Sequence, residues 1–487
     1  MAEKSIKKNA VFNVIKTLMG IVFPLITFPY VSRILSPNGI GQVNFANSII
    51  SYFSIFASLG ISSYGIREAA KIRQDKVSLT KFVKEILVIN LTATIISYCF
   101  LFVALICIPL FQVYRTLLII SGTSIILTTI GIDWLYGALE EFQYIAIRSI
   151  FFQFLSLCLL LLFVKNEDDY VKYAAIIVTS SGGANIWNII HARKYIDFKL
   201  HVNLEFKKHL KPIIILFATS LAASIFTSLD TSMLGFMTNT TEVGYYSASV
   251  KIVRMIRDLF PAIFGVLFAR VSSYVGADET DKLKVLSEKT LSFIFCFTLP
   301  IICGLILLAK PIVLLICGEE YFASITTTRI LVPLILVSAC SGFLGGQILI
   351  SYRKDKIYLL SMIIAAVTNI ILNYLFIPLM GATGAALGTL FAEFAIVIVD
   401  VISLRWFIRK LKILKHIFQC IFATIIMGLI VYFVYRIFEG FLIFQCCVPI
   451  FTGILVYGVS LILMKNDFMQ YVLENITLRK EGGKGDA

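Results

Sequence analysis

The chain has 487 residues, of which 59% are apolar and 15% charged, with a formal net charge of +14. Soluble domains carry roughly 25% charged residues, so the composition excludes an ordinary soluble protein. The Lys and Arg lie mostly in loops between apolar stretches, which points to anionic lipid headgroups and excludes a nucleic-acid partner.

A bilayer core requires about 20 consecutive apolar residues per crossing helix. Such stretches run at 10–34, 40–63, 84–108, 116–138, 142–164, 171–191, 210–236, 243–270, 288–309, 326–350, 357–377, 383–405, 415–436 and 441–464. They predict an all-α polytopic membrane protein of about 14 transmembrane helices. The alternating ten-residue pattern of outer-membrane barrels is absent. MAEKSIKKNA leads into the first stretch with no small-residue cleavage site nearby, so that helix is expected to stay in the mature protein. Alternate loops are strongly basic, such as Arg67, Lys71, Arg73 and Lys76, or Arg193, Lys194, Lys199, Lys207, Lys208 and Lys211. The opposite loops are short and neutral or acidic, as at Asn166-Glu167-Asp168-Asp169. The positive-inside rule then puts both termini in the cytoplasm.

Along the chain, several residues stand out against their apolar surroundings. Pro24 and Pro29 are predicted to bend or unwind the span at 10–34, which also carries Lys16 midway and Arg33 at its outer end. Asp133 falls in the span at 116–138 and Asp230 in that at 210–236. The span at 243–270 carries Lys251, Arg254 and Arg257, spaced by three and spread over about 120° of one side. Lipid cannot face that side. Asp258 follows, and Pro261 is expected to bend the helix.

Two readings of these cations stand. They line an aqueous cavity and bind phosphate or acidic sugars, with Lys16 and Arg33 as further members; or they pair with carboxylates and hold helices together. Glu393 and Asp400 lie in the span at 383–405. With Asp133, Asp230 and Asp258 they are candidates for binding a coupling proton or Na⁺, or for pairing with the cations. The segment at 310–325 is expected to hold a short helix lying in the outer interface. Gly342, Gly345 and Gly346, and Gly381, Gly384 and Gly388, read as close helix packing. The ten cysteines and four histidines form no metal-ligand spacing, and no nucleotide-binding loop occurs, so no cofactor is expected.

An internal repeat aligns LSPNGIGQVNFANSII with MTNTTEVGYYSASVKIV, placing Gly41 on Gly244 and Phe45-Ala46 on Ala248-Ser249. The separation equals six spans, so two pseudo-symmetric six-helix lobes around a central cavity are expected, with two further C-terminal helices. The corresponding divisions are 1–209 for the first lobe and linker, 210–411 for the second lobe, 412–465 for the added helices and 466–487 for a cytoplasmic tail.

YVSRILSPNGIG, LGISSYGIREAA, DTSMLGFMTNTTEVGYYSASVKIVR and CGEEYFASI resemble the polysaccharide-biosynthesis (Wzx-type) flippases of the multidrug/oligosaccharidyl-lipid/polysaccharide exporter superfamily. The resemblance spans nearly the whole chain. It implies V-shaped paired lobes with alternating access in a bacterial cytoplasmic (inner) membrane. It also implies transfer of undecaprenyl-diphosphate-linked oligosaccharide units, destined for O-antigen or capsule, to the periplasmic leaflet. Besides that cargo and membrane lipids, a polysaccharide polymerase and a chain-length regulator become candidate partners. Lipid II flippases of the superfamily line their cavity with arginines to which Arg33 and Arg254 correspond in place. They carry another where this chain has Gln42, Asn44, Asn47 and Ser48, and that departure favours a Wzx-type cargo. The alternatives are a cation-coupled drug exporter of the same superfamily, which would favour carboxylates in its cavity, and a polysaccharide-assembly enzyme. The enzyme reading lacks a large outer loop and a catalytic constellation, and the chain is expected not to be an enzyme.

Overall fold

The computed structural model describes residues 6–438 and 440–466. The predicted tail at 466–487 therefore lies, beyond Asn466, outside the described residues. In chain order the helices are α1 (Ile6–Ser58), α2 (Ile61–Ile72), α3 (Lys76–Cys107), α4 (Pro109–Val113), α5 (Arg115–Gly131), α6 (Asp133–Ala138) and α7 (Phe142–Phe163). Next come α8 (Tyr170–Val178), α9 (Ala184–Ala192), α10 (Lys207–Met237), α11 (Thr240–Arg257), α12 (Leu259–Gly276), α13 (Thr280–Leu307) and α14 (Ala309–Cys317). The last are α15 (Ser324–Leu331), α16 (Leu334–Phe343), α17 (Asp355–Met380), α18 (Ala382–Ser403), α19 (Arg405–Ile408), α20 (Leu414–Ile437) and α21 (Leu442–Leu463).

Among the described residues there is no strand, and ten helices are long and apolar enough to cross a membrane. The protein is a multi-pass membrane protein. Several predicted spans differ in form from those ten. Most of the first and all of the second fall within one 55-residue run, Leu18–Ile72. The span at 171–191 is split into α8 and α9 by a π-helical turn at Thr179–Gly183, and that at 243–270 into α11 and α12.

The break in α1 lies after the two prolines expected to bend or unwind it. Helical dihedrals persist through Pro24 and Pro29, whereas Ser36 leaves the helix at φ 58° and ψ 171°. Pro37 follows it, and a proline ring disfavours helical geometry in the residue before it. Pro261 acts as expected but one turn early. Lacking an N–H, it cannot donate to the Arg257 carbonyl, and its ring crowds that group; α11 accordingly ends at Arg257 and α12 begins at Leu259. The predicted short helix at 310–325 is present as α14.

The chain divides into two compact units, Met1–Ser247 and Ala248–Ala487. In the first, polar side chains join helices whose outer faces are apolar. Asn90 Nδ2 donates to the Ala57 carbonyl at 2.8 Å, Ser97 to that of Phe53 at 2.7 Å, and Tyr98 to that of Gly122 at 2.8 Å. These bonds knit α1, α3 and α5, where apolar burial between helices gives little advantage over lipid. At the start of α10, Tyr64 Oη lies 2.7 Å from His209 Nδ1, and His209 Nε2 lies 2.8 Å from Glu85 Oε2. That chain ties α10 to α2 and α3.

The two glycines aligned by the repeat meet in this unit. A Cβ on Gly41 would lie 1.6 Å from the Thr240 carbonyl oxygen, and one on Gly244 would lie 1.9 Å from that of Pro37. Each glycine thus abuts the residue four positions before the other. Only a residue without a side chain permits so close a backbone crossing.

In the second unit, α20 and α21 pack on α13 through buried Cys296, Cys420, Met427 and Val431. Tyr457 Oη donates to the Cys296 carbonyl at 2.9 Å. Large apolar side chains stay exposed in both units, as at Phe102, Phe154, Leu379 and Phe433. Such surfaces are stable against hydrocarbon rather than water.

Candidate functional site

The three cations of α11 lie in the second unit and differ in surroundings. Arg254 is exposed and, among the described residues, has no carboxylate within 4.0 Å. Arg257 is half-buried, with Nε 3.8 Å from Asp258 Oδ1, and it lies within electrostatic reach of Glu393 on α18. Lys251 is half-buried, with Cys317 of α14 nearby. Asp258 is itself exposed at the α11–α12 break, so its pairing with Arg257 is weak.

Glu393 and Asp400 are both buried, seven residues apart on α18, which puts them on one face. Ser338 and Ser341 of α16 lie beside Glu393. Asp400 faces Tyr358 and Ser361 of α17 and the π-helical turn Leu344–Leu349. A Cβ on Gly345, within that turn, would lie 2.7 Å from Asp400 Oδ2, so the glycine makes room for the carboxylate. Neither Asp400 oxygen has a hydrogen-bond donor in good geometry, and Ser361 instead donates to the Tyr358 carbonyl at 2.8 Å. A buried charge without a hydrogen-bond donor is costly. Gly384 and Gly388 lie close against the Phe376 carbonyl and the Asn373 side chain of α17.

The remaining candidates lie in the first unit. Lys16 is exposed on α1, as is Arg33, three residues before the break at Ser36. Asp230 is buried on α10 and accepts from Tyr246 Oη at 2.6 Å. Beside it Ser232 Oγ lies 3.1 Å from Ser48 Oγ and 3.2 Å from Tyr52 Oη, within hydrogen-bond reach of both, forming a polar seam between α10 and α1. Asp133 opens α6 after Ile132, whose φ of 40° ends α5, so it stands at a helix break rather than within a continuous helix.

Sequence reading missed the partner of Asp133. Arg148 Nη1 donates to Asp133 Oδ1 at 2.9 Å and also to Asn188 Oδ1, while Asn188 Nδ2 donates to Asp133 at 2.5 Å. The Arg148 side chain is 7% exposed. Arg148 lies in the predicted span at 142–164, which is α7, and its partners come from α6 and α9, far from it in sequence. Its signal is a single arginine within the apolar run IAIRSIFF.

Comparison with known proteins agrees with this architecture. The profile of the family described as "Polysaccharide biosynthesis protein" matches residues 6–275. A candidate O-antigen transporter of Escherichia coli (strain K12) is 22% identical over 397 residues, covering 80% of this chain and 94% of its own length. Among solved structures, the lipid II flippase MurJ in an inward closed conformation superposes with a TM-score of 0.74 at 18% identity. It covers 94% of this chain and 99% of its own. An inward-facing multidrug resistance MATE family transporter of the MOP superfamily gives a TM-score of 0.61 at 12% identity, covering 82% and 98%. At these identities the two structures share the fold with this chain.

Proposed function

Because the chain belongs to the polysaccharide biosynthesis protein family, we propose that it is a flippase for undecaprenyl-diphosphate-linked oligosaccharide units. It carries them from the cytoplasmic to the periplasmic leaflet of a bacterial inner membrane by alternating access. Both termini lie in the cytoplasm, as the basic loops require. Support comes from the O-antigen transporter among its relatives and the lipid II flippase that shares its fold. It is a transporter, not an enzyme, and a polymerase and chain-length regulator are candidate partners downstream.

The observation that carries the reading is the set of cations on one side of α11. Lys251, Arg254 and Arg257 occupy a predicted span, and Arg254 has no carboxylate within 4.0 Å among the described residues. An arginine at such a depth is costly in lipid, so it faces water and an anionic group. A diphosphate supplies several acceptor oxygens for guanidinium N–H groups. The α11 cations hold the head in a wet passage while the polyprenyl tail stays in lipid. Glu393 and Asp400 are the carboxylates best placed to take up a coupling proton or Na⁺; Asp133 and Asp230 already have polar partners.

The test deletes the gene in its host and restores it as wild type, Arg254→Ala or Arg257→Ala. Surface polysaccharide and undecaprenyl-linked saccharides are measured together. Expected are loss of surface polymer and trapped complete units in the deletion and in both variants, with normal protein in the membrane. Wild-type export from both variants would falsify the cationic passage. Normal polymer in the deletion strain, without a redundant flippase, would favour the drug-exporter alternative.

A further inference from the structure

A second site lies in the first unit, apart from the cations of α11. A cavity of about 500 Å³ opens between the start of α3 and the segment that follows α9. Lys76, Arg193 and Lys199 line it, and among the described residues none of the three has a carboxylate within 4.0 Å. One acid, Asp197, shares the lining, leaving two positive charges in excess. Its Oδ1 already accepts the Lys199 N–H at 2.9 Å, and its own N–H donates to Thr80 Oγ1 at 3.1 Å. Asp197 thereby shapes the turn that presents the cations.

The rest of the lining is apolar: buried Ile196 and half-buried Ile189 and Phe198. The apolar surface continues beyond the cavity. Ile186, Trp187 and Ile190 of α9, which carries Ile189, are exposed at 48%, 49% and 57%, and Val77 beside Lys76 is exposed at 57%. Exposed tryptophan next to basic residues is the arrangement of a membrane–water interface. A cleft for free phosphate alone would have no use for this apolar surface. A headgroup bearing a phosphate with acyl chains attached matches both parts.

We propose that this cavity binds the anionic phosphate headgroup of a phospholipid, with the acyl chains lying along the apolar face of α9. The leaflet is the cytoplasmic one, a placement that rests on the orientation given under Proposed function; the headgroup chemistry does not depend on it. Such a lipid bridges α3 and the segment after α9, which are distant in sequence and joined near the cavity by the Asp197–Thr80 contact.

The full-length protein, purified in detergent and stripped of lipid, is titrated with phosphatidylglycerol, phosphatidylcholine or inorganic phosphate. Bound molecules are counted by native mass spectrometry. Wild type should retain phosphatidylglycerol over phosphatidylcholine and bind inorganic phosphate at least about tenfold more weakly. Lys76→Gln/Arg193→Gln/Lys199→Gln should weaken the phosphatidylglycerol interaction on the order of tenfold or more, given the contribution of each basic residue. The charge-preserving Lys76→Arg/Arg193→Lys/Lys199→Arg protein should keep it, separating charge from misfolding. Retention is scored on purified protein with no cargo and no transport step, so this result stands or falls independently of the export assay. Equal retention of the two lipids, or wild-type binding by the glutamine variant, overturns the site. Inorganic phosphate displacing phosphatidylglycerol at equal concentration overturns the lipid assignment in favour of a free phosphate.

Discussion

Replacing Gly41 by alanine sets two effects of opposite sign against each other. Alanine is favoured over glycine within a helix by about 1 kcal/mol. At Gly41 the added Cβ would lie 1.6 Å from the Thr240 carbonyl oxygen and 2.9 Å from the Gly244 nitrogen. Both neighbours are backbone atoms, so no side-chain rotation relieves the overlap. The crossing must open by about 1.4 Å to reach even a 3.0 Å contact. Overpacking of this kind costs roughly 1–3 kcal/mol, and rigid partners put Gly41 at the upper end, for a net loss of about 2 kcal/mol. Unfolding in mixed detergent by increasing dodecyl sulfate measures it. Gly20→Ala is the control, because nothing lies within 4 Å of a Cβ there; it should leave stability unchanged or slightly raised. Gly244→Ala should resemble Gly41→Ala, since its Cβ would meet the Pro37 carbonyl oxygen at 1.9 Å. The double variant should lose less than the two singles combined, because one opening of the crossing relieves both overlaps. Strictly additive losses, or a Gly41→Ala protein as stable as the Gly20→Ala control, would refute the shared crossing.

Two further outcomes follow from buried and capping carboxylates. Asp400→Asn preserves shape at a site enclosed by Gly345, Tyr358 and Ser361, so the protein should accumulate normally while export falls about tenfold or more if Asp400 carries the coupling cation. Full export from that variant removes Asp400 from the coupling scheme. In the loop before α8, Lys172 beside Asp169 and donated bonds from the Lys165 and Asn166 N–H groups hold the Asp169 carboxyl down at about 2, below its ordinary 3.8. A depressed carboxyl contributes fully above its ordinary value and loses that contribution as pH falls through its folded value. Protection of the Lys165 and Asn166 amides from hydrogen exchange, corrected for intrinsic rates, should therefore be constant from about pH 5 to 8. Asp169→Ala should abolish it at neutral pH, and unchanged protection would show that other contacts hold the turn.

Residues with a strong local cost were legible from the chain alone. The α11 cations, Asp400 and the paired Gly41 and Gly244 all stood out because charge in an apolar run, or glycine at aligned helix starts, is unusual whatever surrounds it. Partners were not legible. Arg148 falls inside the predicted span at 142–164, but nothing in that run tells that it meets Asp133 and Asn188. The break in α1 falls at Ser36 rather than at Pro24 or Pro29. Prolines remove one backbone bond each without necessarily breaking the helix. Helical dihedrals persist through Pro24 and Pro29, whereas Ser36 takes up non-helical dihedrals before Pro37.

The amino-acid sequence by itself determined that this chain lives in a bilayer, that it is helical, and which residues are out of place in hydrocarbon. Those properties follow from transfer free energies and backbone hydrogen bonding, which act on each segment separately. Tertiary structure decided the rest: that Gly345 makes room for Asp400, that Lys76 joins Arg193 and Lys199 around one cavity, and that Asp133 is held by an arginine fifteen residues away. Each depends on two or three segments meeting at a distance of a few ångströms, and local sequence carries no information about which segments meet.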